Sequence, residues 1–225
     1  ICFKYSRVIG KNLKMFKNKN ILIIVPHQDD EAFGCLGLIL KYQNKANFYI
    51  CYCGDRKGYI KNPKILNQKK KEFLSFAKKI NFKKKYFLKI QSSKFYKHDK
   101  KIFIDKINKV IENCNPDIII SNHSGDVHSD HKVLAECLEP FSKSFRYPKI
   151  KTLLTMEIMS ETNLGSGKIF RPFIPTLYVD ISKEINDKIK LVKLYKSELI
   201  KNTRDTDLLL SLSKIRGAEV ELKTC

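Results

Sequence analysis

The sequence lacks any apolar run long enough to cross a lipid bilayer, and no signal-peptide pattern stands at its beginning. It also lacks a disulfide framework, because its seven cysteines are odd in number and scattered. Cys51 and Cys53 have no second pair with which to form a zinc ribbon. These absences favour a cytoplasmic protein with reduced thiols over a secreted or membrane-spanning one.

Arginine is scarce, since it supplies only six of the 44 basic residues. Acidic residues number 23, so the formal net charge is +21, a balance that often marks a nucleic-acid or anionic-membrane partner. The excess is almost all lysine in a chain rich in Ile and Asn, and "NQKKKEFLSFAKK" has the pattern of an amphipathic surface helix. We therefore expect no nucleic-acid partner, at most weak contact with a membrane surface, and some attraction for anionic substrates.

Apolar segments rich in β-branched and aromatic residues alternate with segments of helical period. The predicted strands are 21–26, 47–53, 85–90, 117–122 and 151–157, with a further candidate at 176–181. The predicted helices are 31–44, 64–80, 100–114, 129–143 and 185–200. This alternation predicts a single Rossmann-like α/β domain over residues 1–225, with three layers and a mostly parallel sheet.

Two segments fall outside this pattern. Residues 1–19 precede the first predicted strand and are expected to form an N-terminal extension. Residues 161–175, "ETNLGSGKIFRPFIP", contain Gly, Ser and Pro without a period, which predicts a loop. A long loop on the catalytic side of such a sheet is expected to cover a substrate.

The chain has only five histidines, and four of them fall in two short segments. "PHQDDE" (26–31) follows the first predicted strand, and "HSGDVHSDH" (123–131) follows the fourth. In a doubly wound sheet, ligands bind beyond the carboxyl ends of the strands, where the strand order reverses. We therefore expect the two segments to meet at one crevice.

The residue types in these two segments are those of a metal centre. Crowded carboxylates raise one another's pKa unless a cation compensates, and imidazole with carboxylate oxygen suits Zn²⁺. His27 and Asp30 are close enough in sequence to chelate one ion, and His131 is placed to complete the set. Asp29 is then available to take a proton from water, and His128 can face a developing oxyanion.

Ordinary helix caps are the competing interpretation, because acidic residues are favoured at helix N-termini. Either segment alone would fit that interpretation, but both together on adjoining loops favour a metal site. His123 and Asp126 are equally compatible with supporting the site and with an exposed loop. His98 is expected on the solvated surface.

At these residues the sequence resembles the PIG-L/LmbE-like N-deacetylases, zinc enzymes that remove acetyl groups from N-acetylglucosamine-type sugars. "PHQDDEAFGCLG" resembles their Pro-His-Pro-Asp-Asp-Glu motif, and "DVHSDHKVLAE" resembles their Asp-x-His-x-Asp-His motif. The likeness in layout runs from about residue 20 to 216–220. Gln28 replaces a usual Pro, and Lys69 stands where many members have an arginine, so an anion contact there would lose its bidentate geometry.

The resemblance implies one Zn²⁺ per chain, or another divalent metal, with three protein ligands: His27, Asp30 and His131. It implies that Asp29 is the general base, that His128 stabilises the oxyanion or protonates the leaving amine, and that Asp130 supports the histidine cluster. The implied activity is removal of the acetyl group from an N-acetyl amino sugar conjugate, which could carry phosphate and serve surface-glycan synthesis. A metal-dependent phosphoesterase and a non-catalytic basic binding module on the same fold remain open alternatives.

Overall fold

The computed structural model describes residues 8–10, 13–57, 59–164 and 167–225. Its strands, in chain order, are β1 Val8–Gly10, β2 Asn20–Val25, β3 Asn47–Asp55, β4 Lys84–Gln91, β5 Ile118–Asn122, β6 Thr152–Met156 and β7 Leu177–Val179. The main sheet has five strands in the order β4-β3-β2-β5-β6, and every neighbouring pair is parallel. The predicted parallel α/β sheet is therefore confirmed.

The helices, in chain order, are α1 Asp30–Phe33, α2 Leu36–Tyr42, α3 Pro63–Ala77, α4 Lys100–Cys114, α5 Ser129–Leu138, α6 Gly167–Phe170, α7 Ile185–Val192 and α8 Thr206–Ala218. Short 3₁₀ turns occur at Lys14–Phe16, Phe95–Lys97, Glu139–Ser142 and Lys196–Glu198. One buried cluster unites the sheet with side chains of α1, α2, α3, α7 and α8, and a second unites it with α4 and α5. The three predicted layers follow from these two cores.

The central strand β2 shows why its sequence is almost continuously apolar. Ile21, Ile23 and Val25 belong to one buried cluster, whereas Leu22 and Ile24 belong to the other. All five side chains have no exposed surface. Because successive side chains of a strand point to opposite faces, a strand covered on both faces needs apolar residues at every position.

The strand order reverses between β2 and β5. The chain runs from β2 to β3 and β4 on one side, and then crosses to β5 on the other side of β2. Ile24 pairs with Ser121, and the Ser121 hydroxyl donates a 2.8 Å hydrogen bond to the Ile24 carbonyl. The carboxyl ends of β2 and β5 therefore flank the crevice in which doubly wound sheets bind ligands.

The predicted helix over 31–44 is interrupted, because α1 ends at Phe33 and α2 begins at Leu36. Gly34 lies at the break and packs against β6. A Cβ on Gly34 would come within 2.5 Å of the Met156 Sδ, so a larger residue here would force the Met156 side chain to move. The interruption fixes the position of α1 against the sheet.

The predicted helix over 185–200 is wrong in its second half, because α7 ends at Val192. The following residues turn toward α3, where the Tyr195 ring is buried 5.0 Å from that of Phe76. The Ser197 backbone N–H and hydroxyl both donate hydrogen bonds to the Glu72 carboxylate. These contacts hold the turn against the local helical pattern.

The segment before β2 contributes to the domain. β1 pairs in parallel with β7 in a separate two-stranded sheet, so the predicted strand at 176–181 exists but lies outside the main sheet. The Phe16 side chain is fully buried, and the Leu13 backbone N–H donates to the Tyr42 hydroxyl at 2.8 Å. Within the expected extension, residues 1–7 and 11–12 lie outside the described residues.

Among the described ranges, no helix is both long enough and apolar enough to cross a membrane. The six cysteines in these ranges form no disulfide: Cys35, Cys51, Cys53, Cys114, Cys137 and Cys225. All but the last are buried, as cysteines that act as small apolar side chains usually are.

Candidate active site

The metal-ligand and catalytic candidates lie at the carboxyl ends of β2 and β5. His27 follows β2, and Asp29 and Asp30 form the turn into α1. His128 is the N-cap of α5, and His131 lies in the first turn of that helix. Because β2 and β5 are neighbours, the two segments meet at one crevice, as the sequence predicts.

Three side chains from these segments converge on a common point. The Asp30 Oδ2 lies 3.4 Å from the His27 Nδ1 and 3.4 Å from the His131 Nε2. One potential ligand atom from each of the three residues lies within 4.8 Å of the other two. The His131 Nε2 is buried and has no hydrogen-bond partner in the described part of the chain. Since buried polar atoms are almost always paired, this nitrogen fits a metal ligand.

A carboxylate contacts the second ring nitrogen of both His27 and His131. The His27 Nε2 lies 3.2 Å from the Asp130 Oδ2, and the His131 Nδ1 lies 2.8 Å from the Asp126 Oδ2. Metal-binding histidines commonly donate their second ring N–H to a carboxylate, which fixes the ring and makes the ligand nitrogen more basic. The ring nitrogens that remain are those facing Asp30, so the donor set fits Zn²⁺.

The carboxylates of this cluster raise the pKa of the two histidines and so favour positive charge at the site. Burial lowers the pKa of His27, but hydrogen bonds to Asp130 and Asp30 outweigh it and raise the pKa to about 9. Burial likewise lowers the pKa of His131. The negative charges of Asp30 and Asp126 and their hydrogen bonds to the ring outweigh burial and raise that pKa to about 10. Two imidazolium groups therefore compensate the carboxylates in the metal-free protein, and a bound metal would release their protons.

A second group of potential ligands, His27 with His128 and Asp130, shares one histidine with the first. The Asp130 carboxylate is already used, because it accepts hydrogen bonds from the Ser93 N–H at 2.6 Å and the Phe95 N–H at 3.2 Å. Two ions would also require His27 to bridge them through both ring nitrogens. The arrangement therefore favours one metal over the two of a phosphatase-type centre.

The acid expected to act as base, Asp29, is held by two arginines. Its side chain is almost fully buried, with Oδ1 lying 3.3 Å from the Arg56 Nη2 and Oδ2 lying 3.0 Å from the Arg204 Nη2. The Arg204 guanidinium also lies over the Phe33 ring, 4.0 Å from its centroid. Both carboxylate oxygens thus have a fixed cationic neighbour.

A further acid, Glu198, ties these arginines to α3. Its Oε1 lies 3.1 Å from the Arg56 Nη2 and 2.5 Å from the Lys69 Nζ, and its Oε2 lies 3.9 Å from the Arg204 Nη1. Lys69, which stands where many family members have an arginine, contacts this carboxylate of the same chain. Asp29, Arg56, Arg204, Glu198 and Lys69 form one network, here called the arginine clamp.

Arg56, Arg204 and Glu198 were not among the residues predicted from the sequence. A usable signal was present, because arginine is rare in a chain that uses lysine for its solvated faces. Arginine is planar and can pair through two nitrogens at once. An arginine in a lysine-rich chain therefore suggests a buried or paired side chain. Their common location could not be read from sequence, since Arg204 lies far along the chain from Asp29.

The third acid of the first segment has a different environment. Glu31 is fully buried, and its Oε1 accepts a 2.7 Å hydrogen bond from the Tyr52 hydroxyl. Burial raises the pKa of Glu31 to about 8, so the side chain is largely neutral at pH 7. Glu31 therefore anchors α1 in the core and stands apart from the metal-ligand set.

The two remaining histidines, His123 and His98, lie outside the groups of potential metal ligands. His123 donates a 2.9 Å hydrogen bond from its Nε2 to the Arg171 carbonyl, and its ring lies 5.3 Å from that of Phe173. It therefore fastens the 161–175 segment to the site rather than joining the metal cluster. That segment, predicted to be a loop, contains the short helix α6. His98 is exposed, as predicted.

We expect Asp126→Asn to weaken zinc binding by about 10- to 100-fold, the usual cost of losing a carboxylate behind a histidine ligand. Asp126 is fully buried and also accepts a 2.7 Å hydrogen bond from the Thr162 hydroxyl, so the side chain has a single orientation. Competition with a fluorescent chelator measures the affinity. Asp105→Asn, the same change on the exposed face of α4, is the control. A twofold change or less in Asp126→Asn would contradict this role.

The family model and the curated relative that match this sequence are both described as deacetylases. The sequence model described as "PIG-L: GlcNAc-PI de-N-acetylase" matches residues 22–141. The chain is also 23% identical, over 130 residues, to the probable N-acetyl-alpha-D-glucosaminyl L-malate deacetylase 2 of Bacillus subtilis (strain 168). That alignment covers 53% of this chain and 59% of the relative, so it spans less than two thirds of the curated protein.

Two solved structures have the same fold. The conserved protein TT1542 from Thermus thermophilus is 17% identical with a TM-score of 0.72, covering 92% of this chain and 91% of that one. The N,N'-diacetylchitobiose deacetylase from Pyrococcus horikoshii is 16% identical with a TM-score of 0.69, covering 92% and 81%. Because the family match takes in more than half of the 225 residues and both histidine-containing segments, the chain belongs to the PIG-L (GlcNAc-PI de-N-acetylase) family.

Proposed function

We propose that this protein is a zinc-dependent amide hydrolase that removes the acetyl group from an N-acetylated amino sugar of the N-acetylglucosamine type. The observation that carries the proposal is the convergence of His27, Asp30 and His131 at the crevice, with Asp29 beside them. Membership of the PIG-L family supports the reaction class. The two deacetylases named above, similar to this chain in sequence or fold, support the acetylated sugar as the substrate.

The proposed reaction divides the work between the metal and Asp29. When bound, zinc supplies a Lewis acid that polarises the acetyl carbonyl and lowers the pKa of the attacking water. Asp29 accepts the proton of that water as its oxygen bonds to the acetyl carbon. Arg56 and Arg204 keep the Asp29 carboxylate oriented until then. The proton passes to the sugar nitrogen as the carbon–nitrogen bond breaks, and acetate and a free amine leave.

His128 is proposed to stabilise the oxyanion. Its Nδ1 accepts a 3.1 Å hydrogen bond from the Asp130 backbone N–H, so in the neutral ring the proton is on Nε2. In the metal-free protein, burial, followed by the positive charges of His27 and His131, lowers the pKa of His128 to about 4, and a bound cation would act in the same direction. The ring is thus a neutral donor near pH 7, suited to an oxyanion that develops only in the transition state. The Asp130 side chain holds His27, and we propose a positioning role for it.

We propose that recognition centres on the acetylated sugar. The names of the family and of the two deacetylases share an acetylated glucosamine unit but differ in what is attached to it. The net charge of +21 suits a phosphate-bearing conjugate, such as those of surface-glycan synthesis. The free thiols support a reducing compartment, and we propose the cytoplasm.

Acetate release from a substrate panel tests the proposal. The panel comprises N-acetylglucosamine, N,N'-diacetylchitobiose, an N-acetylglucosaminyl glycoside and p-nitrophenyl phosphate, each incubated with the zinc-loaded protein. We expect acetate and free amine in equal amounts from at least one sugar, and no phosphate. Release of phosphate without acetate would overturn the proposal in favour of a phosphoesterase. Absence of any product would refute this substrate class.

A further inference from the structure

A cavity beside β6, β7 and α8 has none of the metal-ligand cluster in its lining. Its volume is about 330 Å³, within the range of small-molecule sites. Side chains from α1, β6, β7 and α8 form much of its wall among the described residues, including Phe33, Leu154, Leu177 and Leu212. None of the histidines or aspartates assigned to the metal or to catalysis lines it. The wall is mainly apolar, and an apolar ligand surface would fit against it.

One cation in this wall has no counter-ion. Lys188, on α7, is only 4% exposed and lines the cavity. Within the described ranges its amine makes no hydrogen bond or ion pair, in contrast to the nearby Arg216, which pairs with Glu157 at 2.6 Å and Glu219 at 2.5 Å. Burial lowers the pKa of Lys188 to about 8, so the amine remains mostly charged at pH 7.

The groups that face Lys188 do not neutralise it. Burial raises the pKa of Cys35 to about 12, so this neighbour remains a thiol. The second neighbour acting on Lys188 is the Glu157 carboxylate, and it is already bound to Arg216. A buried charge without a partner is costly, and an anion in the cavity would remove that cost.

We propose that this cavity binds an amphipathic monocarboxylate, with its carboxylate paired to the Lys188 amine and its alkyl chain along the apolar wall. A single unpaired cation matches a single negative charge, which favours a carboxylate over a doubly charged phosphate ester. The size of the cavity favours a chain of medium length. This proposal is independent of the deacetylase activity, since it uses none of the residues of the metal site.

Calorimetric titration of the zinc-loaded protein with octanoate and with 1-octanol tests it. The same titration of His131→Ala, which should hold almost no zinc, separates binding in the cavity from carboxylate binding at the metal. We expect octanoate to bind wild type more tightly than octanol, and Lys188→Met to lose about tenfold or more in octanoate affinity with octanol unchanged. Lys190→Met, the same change at an exposed position of α7, should match wild type. Equal octanoate binding by wild type and Lys188→Met, or none by wild type, would overturn the proposal.

A second variant locates the binding independently of the charge. Leu154→Trp adds bulk to the cavity wall and should weaken octanoate and octanol alike. Its indole is the sole one in the chain, which has no tryptophan, so its emission should respond to whatever ligand still enters. Unchanged affinity for both compounds in folded Leu154→Trp would place the binding elsewhere and refute the cavity as the site.

Discussion

Asp29→Asn should reduce the kcat for acetate release by about 100- to 10,000-fold while leaving zinc affinity within about threefold. The amide has the shape of the carboxylate but cannot accept a proton from water at neutral pH. Asp29 contributes no atom to the His27, Asp30 and His131 cluster, so the metal should remain. A loss in kcat with retained metal is the signature expected of a proton acceptor.

The measurement combines steady-state kinetics with zinc content and thermal unfolding. Unfolding is included because Asp29→Asn removes the charge that faces Arg56 and Arg204, and a collapse of the arginine clamp could lower activity indirectly. Asp105→Asn serves again as the control on an exposed surface. More than a tenth of wild-type turnover in folded, zinc-loaded Asp29→Asn would refute its assignment as base.

His131→Ala should lower zinc affinity by more than about 100-fold, beyond the cost of losing a carboxylate behind a ligand. The substitution removes one of three protein ligands and leaves Asp126 facing an empty space that its carboxylate cannot fill. Purified without added metal, wild type should hold about one zinc per chain and His131→Ala almost none. Activity should fall in parallel with metal content.

The control for this experiment is His98→Ala, because His98 is an exposed histidine outside both groups of potential ligands and its loss should leave zinc content unchanged. Stoichiometric zinc in His131→Ala would contradict the ligand assignment. Two zinc ions per wild-type chain would instead favour the two-metal phosphoesterase, although Asp130 already accepts two backbone hydrogen bonds.

The sequence predicts what depends on local pattern and on topology. The helix over 100–114 has the predicted bounds because Asp99 caps its start and Asn115, in the left-handed conformation, ends it. The meeting of the two histidine segments follows from a rule about strand order, and the structure places β2 beside β5 as that rule requires. Both successes rest on short-range signals combined with one general property of parallel sheets.

The features that could not be predicted depend on contacts between distant segments. The pattern over 185–200 is helical throughout, yet Ser197 is drawn out of the helix by hydrogen bonds to Glu72. Similarly, the proposed base has no sequence neighbour that would orient it, and the arginines that do so come from the loop after β3 and from the segment before α8. Tertiary contacts of this kind override local propensity.

The arginine clamp also has a consequence for the order in which the protein assembles on the ribosome. Every proposed metal ligand lies between residues 27 and 131, whereas Arg204 and Glu198 belong to a much later segment. Because synthesis proceeds from the N-terminus, the ligand set is complete before Arg204, one of the two arginines that orient Asp29, has emerged. A nascent chain could thus acquire metal first and gain its oriented base only when its last third docks, which separates metal loading from catalytic competence in time.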